Sequence, residues 1–228
     1  MDRRGRERVL PRTTAAGERS PTAETALLAC AFFPVQYPLS LVQYPLSLVQ
    51  YPLSLVGLVG LFALSPAVLV EPWTLVTSVY AHGGPGHLLA NLLGLVLLGA
   101  VVERVTTRLR FHALFVSTGA LAGLAEVVPG SLSTLAPRGV LGASGAVFAL
   151  MGYAIAGNGL ADRLLDAVDR ATTARWAVTA VLVVAAVVLA VLLSGPGSAL
   201  VSHATGLALG LFAGRLRLLH VVDRRRPR

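Results

Sequence analysis

The chain alternates long apolar runs with short charged clusters. Between Glu24 and Glu71 lie 46 residues without a formal charge, between Arg138 and Asp162 lie 23, and between Arg175 and Arg215 lie 39. Roughly 20 apolar residues suffice to cross the hydrocarbon layer as a helix. The pattern therefore predicts an all-α membrane protein with spans near 52–70, 86–102, 111–129, 140–157, 176–194 and 199–219. Residues 1–25 read as a basic tail, 26–56 as an apolar lead-in to the first span, 52–219 as the six-span domain and 220–228 as a second basic tail.

The lead-in contains a tandem repeat. Gln36 to Val42 reads QYPLSLV, and the same seven residues recur at 43–49 and 50–56. Solenoid repeats are 20 to 50 residues long, and Pro38, Pro45 and Pro52 each remove a backbone donor and disfavour a straight helix. We expect a duplicated approach to the first span with no role of its own.

Composition supports the membrane reading. Hydrophobic residues make up 55% of the 228 and charged residues only 13%, about half the charge of an ordinary soluble domain. The net charge of +8 comes with 19 basic residues, all Arg. With the amino terminus inside, the segments 1–24, 103–110, 158–175 and 215–228 hold 6, 3, 3 and 6 of them, leaving Arg138 alone outside. Inner loops carry an excess of Arg and Lys. The basic charge is thus explained by topology, with both termini cytoplasmic and no call for nucleic acid. The single Cys30 excludes an internal disulfide and a cysteine-based zinc cluster. The polar residues before it make a lipoprotein signal a poor fit.

Ionisable groups inside spans are expensive and mark function by default. The candidates are His82 and His87 with Asn91 at the second span, Ser144 about five residues into the fourth, and His203 about five into the sixth. These three spans run from outside to inside, so at about 1.5 Å per residue their polar groups share one shallow outer depth. Gly206, Gly210 and Gly214 follow His203 on one helix face, and Gly145, Ala149, Gly152 and Ala156 form a matching stripe beside Ser144. Small-residue stripes let membrane helices approach closely, which would bring Ser144 against His203 as nucleophile and base. His87 and Asn91, four residues apart, can both donate to a developing oxyanion. We find no Asp or Glu accompanying them at this depth, so a dyad rather than a triad is expected.

These stretches resemble the rhomboid family of intramembrane serine proteases. The matching segments run from Trp73 through His82-Gly-Gly-Pro-Gly-His87 to Asn91, across Gly142-Ala143-Ser144-Gly145, and over His203-Ala204-Thr205-Gly206. The resemblance implies a six-transmembrane-helix rhomboid-like bundle with Ser144 as nucleophile and His203 as general base and acid. It also implies an oxyanion hole of His87, Asn91 and the Ser144 amide, with Gly142, Gly145 and Gly206 in support. Glu103 would correspond to an acidic residue that supports the fold. Phe148 stands where many members have a Tyr whose ring packs on the catalytic histidine, and Thr74 follows Trp73 where many have Arg.

The implied activity is cleavage of transmembrane segments near the outer membrane face, with membrane proteins as substrates, the lipid bilayer as setting, and no metal or other cofactor. Two other readings stay open: a catalytically silent rhomboid-like binder of membrane proteins, and a proton-coupled transporter using intramembrane histidines. The short chain without a transit peptide leads us to expect a multi-pass protein of a prokaryotic plasma membrane.

Overall fold

The computed structural model describes residues 19–48, 59–131, 139–157, 184 and 199–220. Among them the regular elements are helical, with one isolated bridge between Leu64 and Val140. In chain order these are α1 (Pro21–Leu48), α2 (Val59–Phe62), a 3-10 turn at Pro66–Leu69, α3 (Thr74–Tyr80), α4 (Pro85–Val102), a 3-10 turn at Glu103–Val105, α5 (Arg108–Ser131), α6 (Ser144–Ala156) and α7 (Leu200–Arg215). Two stretches, Pro85–Val105 and Arg108–Val128, are long and apolar enough to cross a membrane. Along α4, Leu89, Leu93, Val96, Leu97 and Val101 are exposed. Apolar side chains that miss the core in this density suit a lipid-facing surface.

The amino-terminal half differs from the expected arrangement. Residues 52–70 do not form one span in their described part. Leu64 pairs with Val140 through two 2.8 Å hydrogen bonds, and the Ser65 hydroxyl accepts from the Ala67 amide to start the turn at Pro66. A capping serine followed by proline is a strong start signal, and it breaks the run there. The long helix lies earlier, at Pro21–Leu48, so the boundary expected at 25/26 falls inside α1. It carries Pro34, Pro38 and Pro45 along its length. The expected fifth span, the inner segment 158–175 and the tail residues 1–18 and 221–228 lie outside the described residues, apart from Val184, which is helical.

α1 is tied to the bundle at its start. Glu103, at the end of α4, accepts hydrogen bonds from the Ser20 hydroxyl (2.6 Å) and the Thr22 amide (3.3 Å). A carboxylate at a helix N-terminus satisfies orphan amides and the helix dipole. Beside it, a Cβ on Gly99 would meet the Thr22 side chain at 2.6 Å, so Gly99 lets the two helices touch. Glu24 also accepts from Arg108 Nε at 2.6 Å and faces His112 Nε2 at 3.0 Å, joining α1 to α5. The core above these contacts is built from Leu95, Val102, Phe111, Phe115, Leu150 and Tyr153, all nearly inaccessible.

α6 and α7 make the closest helix pair. A Cβ on Gly206 would land on the Gly145 carbonyl oxygen, and one on Gly210 would land on that of Ala149. Conversely, one on Gly152 would strike the Leu207 carbonyl. The backbones fill the space that side chains would need, as small-residue stripes permit.

Candidate active site

The segment entering α6 is pinned before the helix begins. Val140 is bridged to Leu64, and the Gly142 amide donates to the Ser78 carbonyl at 2.8 Å. Gly142 has φ +125°, a conformation that favours glycine. A Cβ there would also meet the His87 ring at 2.7 Å. Only a bare Cα fits both demands. After this bend Ser144 opens α6 as its first residue, not five residues into a helix as the hydropathy pattern predicts. The difference matters chemically, because amides in a helix's first turn have no intrahelical partner.

His82 and His87 stand against this bend. His82 is fully buried in the connection between α3 and α4. Its Nδ1 lies 3.0 Å from the Tyr80 carbonyl and so carries the proton, while Nε2 accepts from the Ala143 amide at 3.5 Å. Burial, aided by the nearby His87, pushes the His82 imidazole down to about 4. It stays neutral, which its acceptor role requires. The His82 amide donates to the buried Gln36 side chain at 3.0 Å. The first QYPLSLV copy therefore has a structural role: its Gln36 holds the loop at His82, which in turn holds the approach to Ser144.

His87 lies edge-on to His82, with ring centroids 5.2 Å apart. Its Nδ1 accepts from the Gly83 amide at 3.4 Å, which leaves the proton on Nε2, the atom facing Gly142. One turn on, Asn91 is buried and donates one N–H to the His87 carbonyl at 2.9 Å. Its amide group carries a second N–H.

His203 lies in the first turn of α7, stacked on Phe148 with centroids 4.4 Å apart and planes 17° from parallel. Phe148 is one turn along α6 from Ser144, and Gly206, one turn along α7 from His203, seats on Gly145. Ser144 and His203 thus occupy the same end of one tightly packed helix pair. The neighbouring Ser202 is buried, and a Cβ on Gly145 would meet its hydroxyl at 2.9 Å.

A carboxylate also reaches this end of the bundle, contrary to the expectation of none. Glu126, on α5, accepts from the Ser202 amide at 2.8 Å. That amide is in the first turn of α7, where a charged acceptor contributes about 1 kcal/mol. Glu126 precedes the apolar end of α5 and reads in sequence as a boundary charge. Its position near the end of a span predicted to finish at the outer face was the available signal. Gln36 was hidden by the repeat, where all three copies carry the same residue.

A bent glycine entry, a serine at a helix start, a ring-stacked histidine and two donors on a third helix form one cluster. The sequence model of the Rhomboid domain matches residues 70–220. The chain belongs to the rhomboid family. The matched region holds Ser144, His203, His87 and Asn91, and α1 precedes it. RHOMBOID-like protein 5 of Arabidopsis thaliana is 35% identical over 82 residues, covering 36% of this chain and 26% of the relative. YdcA of Bacillus subtilis (strain 168), a candidate rhomboid protease by name, is 32% identical over 82 residues, covering 36% of this chain and 39% of the relative. The matched segments span less than half of either relative. Rhomboid proteins are embedded in membranes, which agrees with the two apolar helices, among the described residues, long enough to cross one.

Proposed function

We propose that this rhomboid protein is an intramembrane serine endopeptidase that cleaves transmembrane segments near the outer membrane face. The observation that carries the reading is the seating of His203 on Phe148 at the end of the helix pair where Ser144 begins α6. In this reading His203 takes the Ser144 hydroxyl proton as the oxygen attacks the scissile carbonyl. The tetrahedral oxyanion is met by the Ser144 amide, the His87 Nε2–H and the second Asn91 N–H. Preorganised donors of this kind contribute about 3 to 4 kcal/mol each to the transition state. His203 then protonates the leaving amine, and water, activated by the same imidazole, hydrolyses the acyl-enzyme.

A helical peptide bond is shielded by its own hydrogen bonds, so a substrate span must unwind to present one. The family resemblance points to a bond after a small residue, near helix-breaking Gly or Pro. Six spans, both termini in the cytoplasm and a prokaryotic plasma membrane complete the proposal. Its topology rests on the distribution of 18 of the 19 Arg over the inner segments.

A serine-reactive fluorophosphonate tests the nucleophile. Detergent-solubilised protein is expected to label at Ser144, with the signal abolished in Ser144→Ala and reduced in His203→Ala. Folded protein without Ser144-dependent labelling would instead support a silent binder or a transporter.

A further inference from the structure

We propose that Glu126 is a positioning residue for His203: it fixes the first turn of α7 and thereby sets where the imidazole meets Ser144. The inference rests on the protease reading and adds to it a residue outside the dyad and the oxyanion donors.

The geometry is specific. Glu126 lies one turn beyond Ala122 on the same face of α5. Ala122 packs where a Cβ on Gly145 would meet it at 2.7 Å, so this face of α5 touches the start of α6 beside Ser144. One turn further, Glu126 takes the Ser202 amide of α7 at 2.8 Å. A single helix face thus braces both the nucleophile's helix and the base's helix at the same end.

The amide it takes is well chosen. The first backbone bond of α7 runs from the His203 amide to the Ala199 carbonyl at 3.0 Å. Ser202 precedes that residue, so its amide falls among the orphan donors of the helix start. Ala199, at the cap position, provides no side-chain acceptor. Glu126 supplies one from another helix. An ionisable side chain within a span is expensive and is retained where it has a specific partner. Here the partner is the backbone of the residue directly before the base. With Ser202 held at its amide, the stacked Phe148 ring fixes the His203 plane.

The variants Glu126→Gln, Glu126→Asp and Glu126→Ala separate reach from charge. Gln keeps the length and an acceptor oxygen, Asp keeps the charge but withdraws it by one methylene, and Ala removes both. Cleavage of a reconstituted single-span substrate is measured against its mole fraction in the bilayer. The proposal predicts kcat within about threefold of wild type for Gln and about tenfold or more below it for Asp and Ala, with KM unchanged, because small misplacements of a catalytic group are costly. Asp at the wild-type rate, Gln as impaired as Ala, or a loss confined to KM would overturn it. Should Ala fail to fold, the Gln and Asp pair decides alone. A wild-type enzyme without Ser144-dependent cleavage would overturn the protease reading as well, whereas an active wild type with unaffected variants would overturn this inference only.

Discussion

His82 does its work as a neutral ring, donating from Nδ1 to Tyr80 and accepting at Nε2 from Ala143. Its folded pKa of about 4 lies below the usual value near 6.5. The unfolded chain therefore binds a proton as the pH drops through 6.5, while the folded one does not until about 4. Stability from this group is complete above 6.5 and is lost as the pH falls across that window, by up to about 1 kcal/mol per pH unit. Thermal unfolding in detergent should show a midpoint falling from pH 7 to pH 4.5, and His82→Asn should flatten that slope while lowering the midpoint at pH 7. At this scale Ser144, His203, His87 and Asn91 stood out in the sequence because they are polar residues set inside apolar, uncharged runs. The role of Gln36 was not legible and that of Glu126 was signalled only by its place near a span end, since each is set by the partner it meets across 46 and 76 residues of chain.

At the scale of elements, the α6–α7 contact depends on missing side chains. Gly210→Val would drive a branched side chain into the Ala149 carbonyl. Overpacking usually costs about 1 to 3 kcal/mol, and here backbone rather than a flexible side chain must move. The variant should insert in the membrane at normal yield, yet lose most fluorophosphonate labelling at Ser144, because the helix pair separates by the width of a methyl group. Gly84→Ala, where nothing lies within 4 Å of an added Cβ, is the matched control and should label normally. The glycine stripes were visible as periodicity, and helices α4 to α7 overlap the predicted spans, with α6 starting four residues later than hydropathy indicates. The first helix was misplaced for a physical reason. An uncharged run of 46 residues is longer than one span needs, and hydropathy alone cannot say which part is helical. The choice is made by local contacts: Glu103 and Gly99 receive the start of α1, while Ser65, Pro66 and the Leu64–Val140 bridge break the later part.

For the whole molecule, the proposed topology follows from where charge can remain solvated. The start of α1, the end of α4 and the start of α5 gather Glu103 with Ser20, and Glu24 with Arg108 and His112. His82, His87 and Asn91 lie at the other end of α4, beside the segment that leads into Ser144. Placing the first group in the cytoplasm puts the second toward the outer face. In a Cys30→Ser background, Arg138→Cys in intact cells should react with a membrane-impermeant maleimide, and Arg104→Cys should react only after permeabilisation. The reverse pattern would invert the topology and move the proposed site of cleavage to the inner face.

Hydrolysis by Ser144 is the claim on which the rest depends. Purified protein in liposomes with a single-span substrate bearing a small residue and a helix-breaking Gly near its outer end should yield two fragments from one cut in the span. The Ser144→Ala protein, folded and inserted equally well, should yield none. Equal cleavage by both proteins, or none by either, would contradict it.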